Sequence, residues 1–226
     1  MISENDEREF FTVRILRPML VISFRRPCQV VSWAPLHGGF RSNVSHIVDC
    51  QVAEHSGAGT PETVLRRTAG KAGIKGTFVG MLTSADIQNY WLVQSQRGGL
   101  RVAALSTITV TKLATVGEAW PAERPCSLNS GGLNLIVVAN QRLSHEAMLE
   151  SISIATEAKV KALCDFQSIS RPNEPHATGT AFECIVVASG NVGHHKGAGK
   201  GTELGELIGK TCLESIRGGL RSVNRS

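Results

Sequence analysis

Aromatic residues are scarce in this chain, with one tyrosine among 226 residues and only 5% aromatics in all. That disfavours an aromatic-walled pocket. The 23 glycines point instead to tight turns and close backbone approaches. None of the six cysteines (Cys28, Cys50, Cys126, Cys164, Cys184 and Cys212) stands in a C-x-x-C pair, so a structural zinc site has no local signature. Apolar runs such as residues 135–139 fall far short of the roughly 20 residues that cross a bilayer. A soluble protein without a membrane partner is expected. No G-x-S-x-G elbow is present, which removes support for an α/β-hydrolase serine. A Ser-His-Asp triad assembled in space stays open. The net charge of +5 is scattered, apart from Arg217, Arg221 and Arg225 near the end. Without a basic stripe interleaved with aromatics, no nucleic-acid partner is expected.

With 42% hydrophobic and 19% charged residues, the composition is that of a globular chain. The run Met1-Ile2-Ser3-Glu4-Asn5-Asp6-Glu7 is acidic where a secretory leader is basic. A cytoplasmic protein with buried free thiols is therefore expected.

Strand-like patterns run over 10–24, where Pro18 suggests a hairpin or an edge, and over 29–34 before the turn at 35–39. Residues 44–53 read as strand or helix. Thr60-Pro61-Glu62 carries the marks of a helix start: a capping hydroxyl, proline at the first position and an acid at the positive end. That helix should reach about Ala72 and stop at Gly73. Strands follow near 77–82, 90–96 and 100–111, with Gly98-Gly99 marking a hairpin. Residues 115–132 read as a loop and 133–139 as a buried strand. Ser144 should cap a helix to about Asp165, with Met148, Ile152, Ala155 and Ala162 at helical spacing. A loop at 168–176, a strand at 182–188 and a glycine-rich stretch at 190–201 precede a last helix. Thr202 caps it, and Leu204, Ile208, Cys212 and Ile216 form its apolar face. Regular βαβ alternation is absent. The expected fold is α+β: mostly antiparallel sheet layers with about three main helices packed on them, in a single domain over 1–226.

Lys196-Gly197-Ala198-Gly199-Lys200-Gly201-Thr202 resembles a phosphate-binding loop, but Gly201 follows the Gly-Lys pair and His194 takes the place of the first required glycine. A flexible helix entry is the better reading, with its amides still open to a polar group. His194-His195 lacks a third ligand nearby, so no metal is expected. The run His176-Ala177-Thr178-Gly179-Thr180-Ala181-Phe182-Glu183 is more informative. It offers backbone N–H donors, two hydroxyls and a carboxylate at a strand entry, a combination able to cradle an oxyanion. A plain loop-to-strand turn has the same composition.

With Cys184-Ile185-Val186-Val187-Ala188 behind it, this run resembles the Ala-Thr-Gly-Thr-Gly-Thr-Asp turn and apolar strand of the adenosylcobinamide amidohydrolase (CbiZ) family. Other segments resemble the family in the same order: Ser32-Trp33-Ala34-Pro35-Leu36-His37-Gly38-Gly39-Phe40, Val79-Gly80-Met81-Leu82-Thr83, the strand entry at Asn134, Ala155-Thr156-Glu157-Ala158-Lys159 and Leu204-Gly205-Glu206-Leu207-Ile208-Gly209. The resemblance spans about residues 10–220. It implies hydrolysis of the amide joining the corrin f side chain to aminopropanol, in corrinoid salvage. The corrinoid is then the substrate and partner, and no cofactor is implied. The oligomeric state is left open, a homo-oligomer included.

The chain departs from the family at several turns. Ala181-Phe182-Glu183 replaces Gly-Thr-Asp, His37 and Asp49 stand where Asn is usual, Lys112 falls at another Asn position, and Gly201 replaces a His. A corrinoid-binding protein of the same fold without catalysis, or an amidohydrolase on another amide, are the alternatives these departures raise.

Amide hydrolysis needs an activated nucleophile, a stabilised oxyanion and a proton for the leaving amine. Glu183 is the expected base on water. Thr178 and Thr180 are expected as hydroxyl donors or nucleophiles, and the Gly179 amide as an oxyanion donor. His37, Gly38, Gly39, Asp49, Asn134, Glu157, Lys159, Thr202 and Glu206 are expected to bind substrate. Glu157 and Lys159 lie about 200° apart around a helix, so only one should face the site. Thr202 and Glu206 suit helix capping almost equally well.

Overall fold

A computed structural model describes residues 10–52, 59–111, 113–118, 132–170 and 176–223. Lys112, Cys126 and most of the loop expected at 115–132 lie outside these residues, as do 171–175.

Strands β1 (Phe11–Leu16) and β2 (Met19–Ser32) form a hairpin around Arg17-Pro18, with Leu16 opposite Met19. Proline has no N–H to give to a ladder, and the loop asks for none. Of the ambiguous segment at 44–53, residues 44–51 belong to a strand, β3 (Gly39–Gln51), and Ala53 lies outside the described residues. Helix α1 (Pro61–Lys71) begins under the Thr60 hydroxyl, and Gly73 follows it with φ of +68°. β4 (Phe78–Thr83) precedes β5 (Trp91–Arg97) and β6 (Leu100–Thr109), which are joined at Gly98-Gly99. The remaining elements are β7 (Leu113–Ala114), β8 (Gly132–Leu143), α2 (His145–Ser170), β9 (Gly179–Thr180), β10 (Glu183–His195) and α3 (Glu203–Val223).

Three elements outrun the sequence reading. α2 continues past Asp165 to Ser170. β2 spans 14 residues instead of ending as two short pieces. β10 carries on through 190–195, so half of the glycine-rich stretch is strand. Gly190 permits this: a Cβ there would lie 2.0 Å from the Asn140 carbonyl oxygen of β8.

The main sheet runs β4-β3-β2-β10-β8-β6-β5, with β1 added on β2, while β7 and β9 pair separately. Most pairings are antiparallel, but β10–β8 and β3–β4 are parallel. Each parallel pair is bridged by a helix. Two βαβ units are thus present, although their spacing in the chain is too irregular to show as alternation.

The sheet folds over on itself. β2 carries register shifts between Ser23 and Val30, where the strand changes direction. One half then faces the other. Leu20, Ile22, Ile47, Val79 and Met81 pack against Ala103, Leu105, Ile136, Val138 and Val186 in one buried cluster. The outer side of the β2–β3 half is covered by Leu65 and Ala69 of α1. The outer side of the β10–β8–β6 half is covered by α2 and α3 through Ala155, Leu163, Ile208, Cys212 and Ile216. The order of layers is therefore helix, sheet, sheet, helix pair. Leu204, Ile208, Cys212 and Ile216 are all buried, as the spacing in α3 requires. No described helix is long and apolar enough to cross a membrane.

Candidate active site

β10 begins at Glu183, and alternation along the strand sends Glu183 toward the helices and Cys184 between the sheet halves. Glu183 meets α2. Its Oε1 is ion-paired with the Lys159 ammonium, and Lys159 is only 4% exposed against 24% for Glu183. Its Oε2 accepts the Thr180 N–H at 3.2 Å. Gly179 makes room for this carboxylate, because a Cβ there would stand 2.7 Å from Oε2. Thr178, Gly179, Thr180 and Glu183 thus form one closed bend, with Lys159 as the counter-charge.

Both threonine hydroxyls meet backbone groups. Thr180 donates its hydroxyl to the Phe182 carbonyl at 2.8 Å. The Thr178 hydroxyl accepts the Val116 N–H at 2.8 Å, while its own N–H donates to Ala114. The buried amide of Gln167 clamps Ala177 at both ends, through Ala177 N–H at 2.8 Å and Ala177 C=O at 3.0 Å. Trp33 reaches the same strand entry: its indole N–H donates to the Glu183 carbonyl at 2.8 Å.

A second polar cluster lies on the opposite face of the same strands. Asn134 of β8 is paired in register with Cys184 and points between the sheet halves. Its amide donates to Asp49 Oδ1 and to the Leu82 carbonyl, each at 2.9 Å. Thr107 donates to Asp49 Oδ2 at 2.6 Å. Asp49 has no exposed surface. Burial pushes its carboxyl up to about 6, with the Thr107 and Asn134 hydrogen bonds pulling the other way. The same burial, reinforced by the Asp49 charge, raises the Cys184 thiol and keeps it unreactive. Asp49 and Asn134, expected to touch substrate, here join β3, β4, β6 and β8 through these hydrogen bonds.

The other expected residues fall elsewhere. His37 adopts φ of +58° and bonds the Phe78 carbonyl through Nδ1 and Arg66 through Nε2. Gly38 packs against Ala34, where a Cβ would lie 2.5 Å from the carbonyl oxygen, and Gly39 turns with φ of +81°. This turn leans on β4 and α1, and its contacts do not include Glu183. Glu157 is exposed and pairs with Lys200 at 2.5 Å. Only Lys159 of that helical pair meets Glu183, as the 200° separation requires. Thr202 is the cap of α3, accepting the Gly205 N–H at 3.0 Å. Glu206 is held in a two-pronged pair by Arg97 at 2.6 and 2.8 Å. Glu157 and Glu206 line a cleft of about 350 Å³ between α2 and α3.

The amides expected to hold a polar group before α3 already have an occupant. Glu150 of α2 accepts the Ala198 N–H at 2.6 Å. His195 bonds Gln141, and among the described residues no three His, Cys, Asp or Glu side chains converge as a metal site would need.

Sequence reasoning did not single out Trp33, Thr107 or Gln167 as site residues. One of them carried a signal, as did Lys159, which falls on the stripe of Met148, Ile152 and Ala155 and is thus a polar residue at a core position. Thr107 likewise continues the inward alternation of Ala103 and Leu105.

The model of the adenosylcobinamide amidohydrolase family matches residues 1–226. The chain belongs to that family. Adenosylcobinamide amidohydrolase of Methanosarcina mazei is 27% identical over 195 residues, covering 82% of this chain and 86% of its own. An uncharacterized protein of Methanocaldococcus jannaschii is 35% identical over 88 residues, which is 38% of this chain and 34% of that one. Among solved structures, a Burkholderia β-aminopeptidase covers 91% of this family member and 78% of its own chain, at 13% identity and a TM-score of 0.46. The L-aminopeptidase D-Ala-esterase/amidase of Ochrobactrum anthropi covers 94% and 82%, at 10% identity and a TM-score of 0.41.

Proposed function

We propose that this protein hydrolyses the amide between the f side chain of adenosylcobinamide and aminopropanol, releasing adenosylcobyric acid and 1-amino-2-propanol in corrinoid salvage. The observation that carries this reading is the Lys159–Glu183 pair, set against the Thr178–Glu183 bend that the family resemblance marks as its turn.

The chemistry follows from what each group has left to give. A carboxylate accepts at about four lone-pair positions. Lys159 and the Thr180 N–H take one on each oxygen of Glu183, which leaves room for a water proton. Glu183 draws that proton as the water oxygen bonds to the amide carbon. Lys159 carries three donors and gives one to Glu183. Its charge offsets the negative oxygen of the tetrahedral intermediate. Glu183 then passes the proton to the nitrogen as the C–N bond breaks, and the acid and the amine depart. The Thr180 hydroxyl spends its proton on the Phe182 carbonyl, which favours water over a covalent route through Thr180.

The experiment is mass spectrometry of adenosylcobinamide incubated with the pure protein. The expected result is the cobyric acid together with free 1-amino-2-propanol. A shift in the corrinoid absorbance spectrum without cleavage supports instead a binding protein of the same fold. Release of amine only from other amides supports a different substrate.

A further inference from the structure

We infer that Trp33 is a positioning residue of this same reaction, an aromatic platform against which the corrin macrocycle rests while its f-chain amide lies at Glu183. The inference deepens the hydrolase reading and relies on it for the identity of the ligand.

Trp33 is 48% exposed, so one face of its indole is open to a ligand. It is nevertheless fixed in place. Its indole N–H is spent on the Glu183 carbonyl at 2.8 Å, and its neighbours Ser32 and Ala34 are buried. A ring tied at its polar edge and open to solvent loses little freedom when something flat covers it. The tether is also on the residue proposed as the base. The platform and the reacting carboxylate therefore belong to one residue's reach: the ring on its backbone oxygen, the chemistry on its side chain.

That spacing suits the ligand. In a propionamide arm, three single bonds separate the macrocycle from the amide carbonyl carbon, a span of roughly 4 Å. A macrocycle resting on the indole is then one short arm away from its reacting amide, and the indole is hydrogen-bonded to the residue that carries the carboxylate. Val116 is a second exposed apolar residue tied to the same bend. It is 83% exposed, with its N–H on the Thr178 hydroxyl.

The test measures equilibrium binding of adenosylcobinamide by its visible absorbance, alongside turnover, for the unmodified protein, Trp33→Phe and Trp33→Ala. The expected result for Trp33→Ala is a Kd and KM raised about 10-fold or more with kcat within about 3-fold. Trp33→Phe, which keeps an aromatic face and loses only the N–H, should recover most of the affinity. Equal binding by Trp33→Ala and the unmodified protein overturns the platform. So does Trp33→Phe binding as weakly as Trp33→Ala, because the hydrogen bond would then be what matters. Binding without cleavage by the unmodified protein overturns the hydrolase reading, while the Kd series still decides on Trp33. No binding by the unmodified protein overturns both.

Discussion

Asp49 is a carboxylate enclosed without a cation, held by one hydroxyl and one amide. Its folded form keeps its proton up to about 6, whereas the ordinary value is 3.8. The folded state therefore binds the proton more tightly than the unfolded state. Stability from this group falls as pH rises from about 4 to about 6 and is flat above. Asp49→Asn removes the titration. In denaturant unfolding, the variant should gain on the unmodified protein by about 3 kcal/mol across that window. A difference that does not change with pH would contradict the account. Gly179 makes an independent case. Gly179→Ala places a methyl 2.7 Å from Glu183 Oε2 and should shift the carboxylate. Turnover should fall about 100-fold, as displacements near 1 Å do, with only a small change in melting temperature. At this scale the sequence told much about Glu183 and little about its partners. The acidic strand entry was visible from composition. That Lys159 and not Glu157 meets it was reduced to an either-or by helix geometry, and packing settled the choice.

At the scale of elements, glycine placement decides how α3 is seated. Gly205 lies in its first turn directly under the loop that carries the glycine-rich run. A Cβ on Gly205 would stand 2.1 Å from the Gly199 carbonyl oxygen and 2.3 Å from that of Ala198. Gly205→Ala should destabilise the protein by about 2 kcal/mol or more, because backbone and not a flexible side chain is in the way. Gly201→Ala, with nothing within 4 Å, should change stability by less than about 0.5 kcal/mol. Thermal unfolding of the two variants checks the contrast. Ser144 offers a milder test. It caps α2 through the Ala147 N–H at 3.2 Å, and Ser144→Ala should lose about 1 kcal/mol. Helix starts were readable because caps are local chemistry. The ends of α2 and β10 were not, because most of the added residues, 168–170 and 191–194, are exposed and carry no buried face for the sequence pattern to show.

The whole molecule depends on a sheet that doubles back so that its two halves share an interior. Alternation along each strand announces which residues turn inward. It does not announce which strand they will meet. Asp49 of β3 and Thr107 of β6 are separated by three strands in the sheet, yet they are hydrogen-bonded. That contact requires the sheet to double back, and β2 carries its register shifts between Ser23 and Val30, around Pro27, where the sequence reading breaks the strand. The fold class was within reach of the sequence, since it rests on element types; the layer order was not. Doubling back leaves two polar clusters on opposite faces of β8 and β10. One, around Asp49, is sealed from solvent. The other, at Glu183, is half-open and paired with Lys159. The most direct test of that division is 1-amino-2-propanol release from adenosylcobinamide by the unmodified protein and by Glu183→Gln, with corrinoid binding measured in parallel. The account predicts release by the unmodified protein and a loss of at least about 100-fold in Glu183→Gln with binding retained. Undiminished release by Glu183→Gln would contradict it.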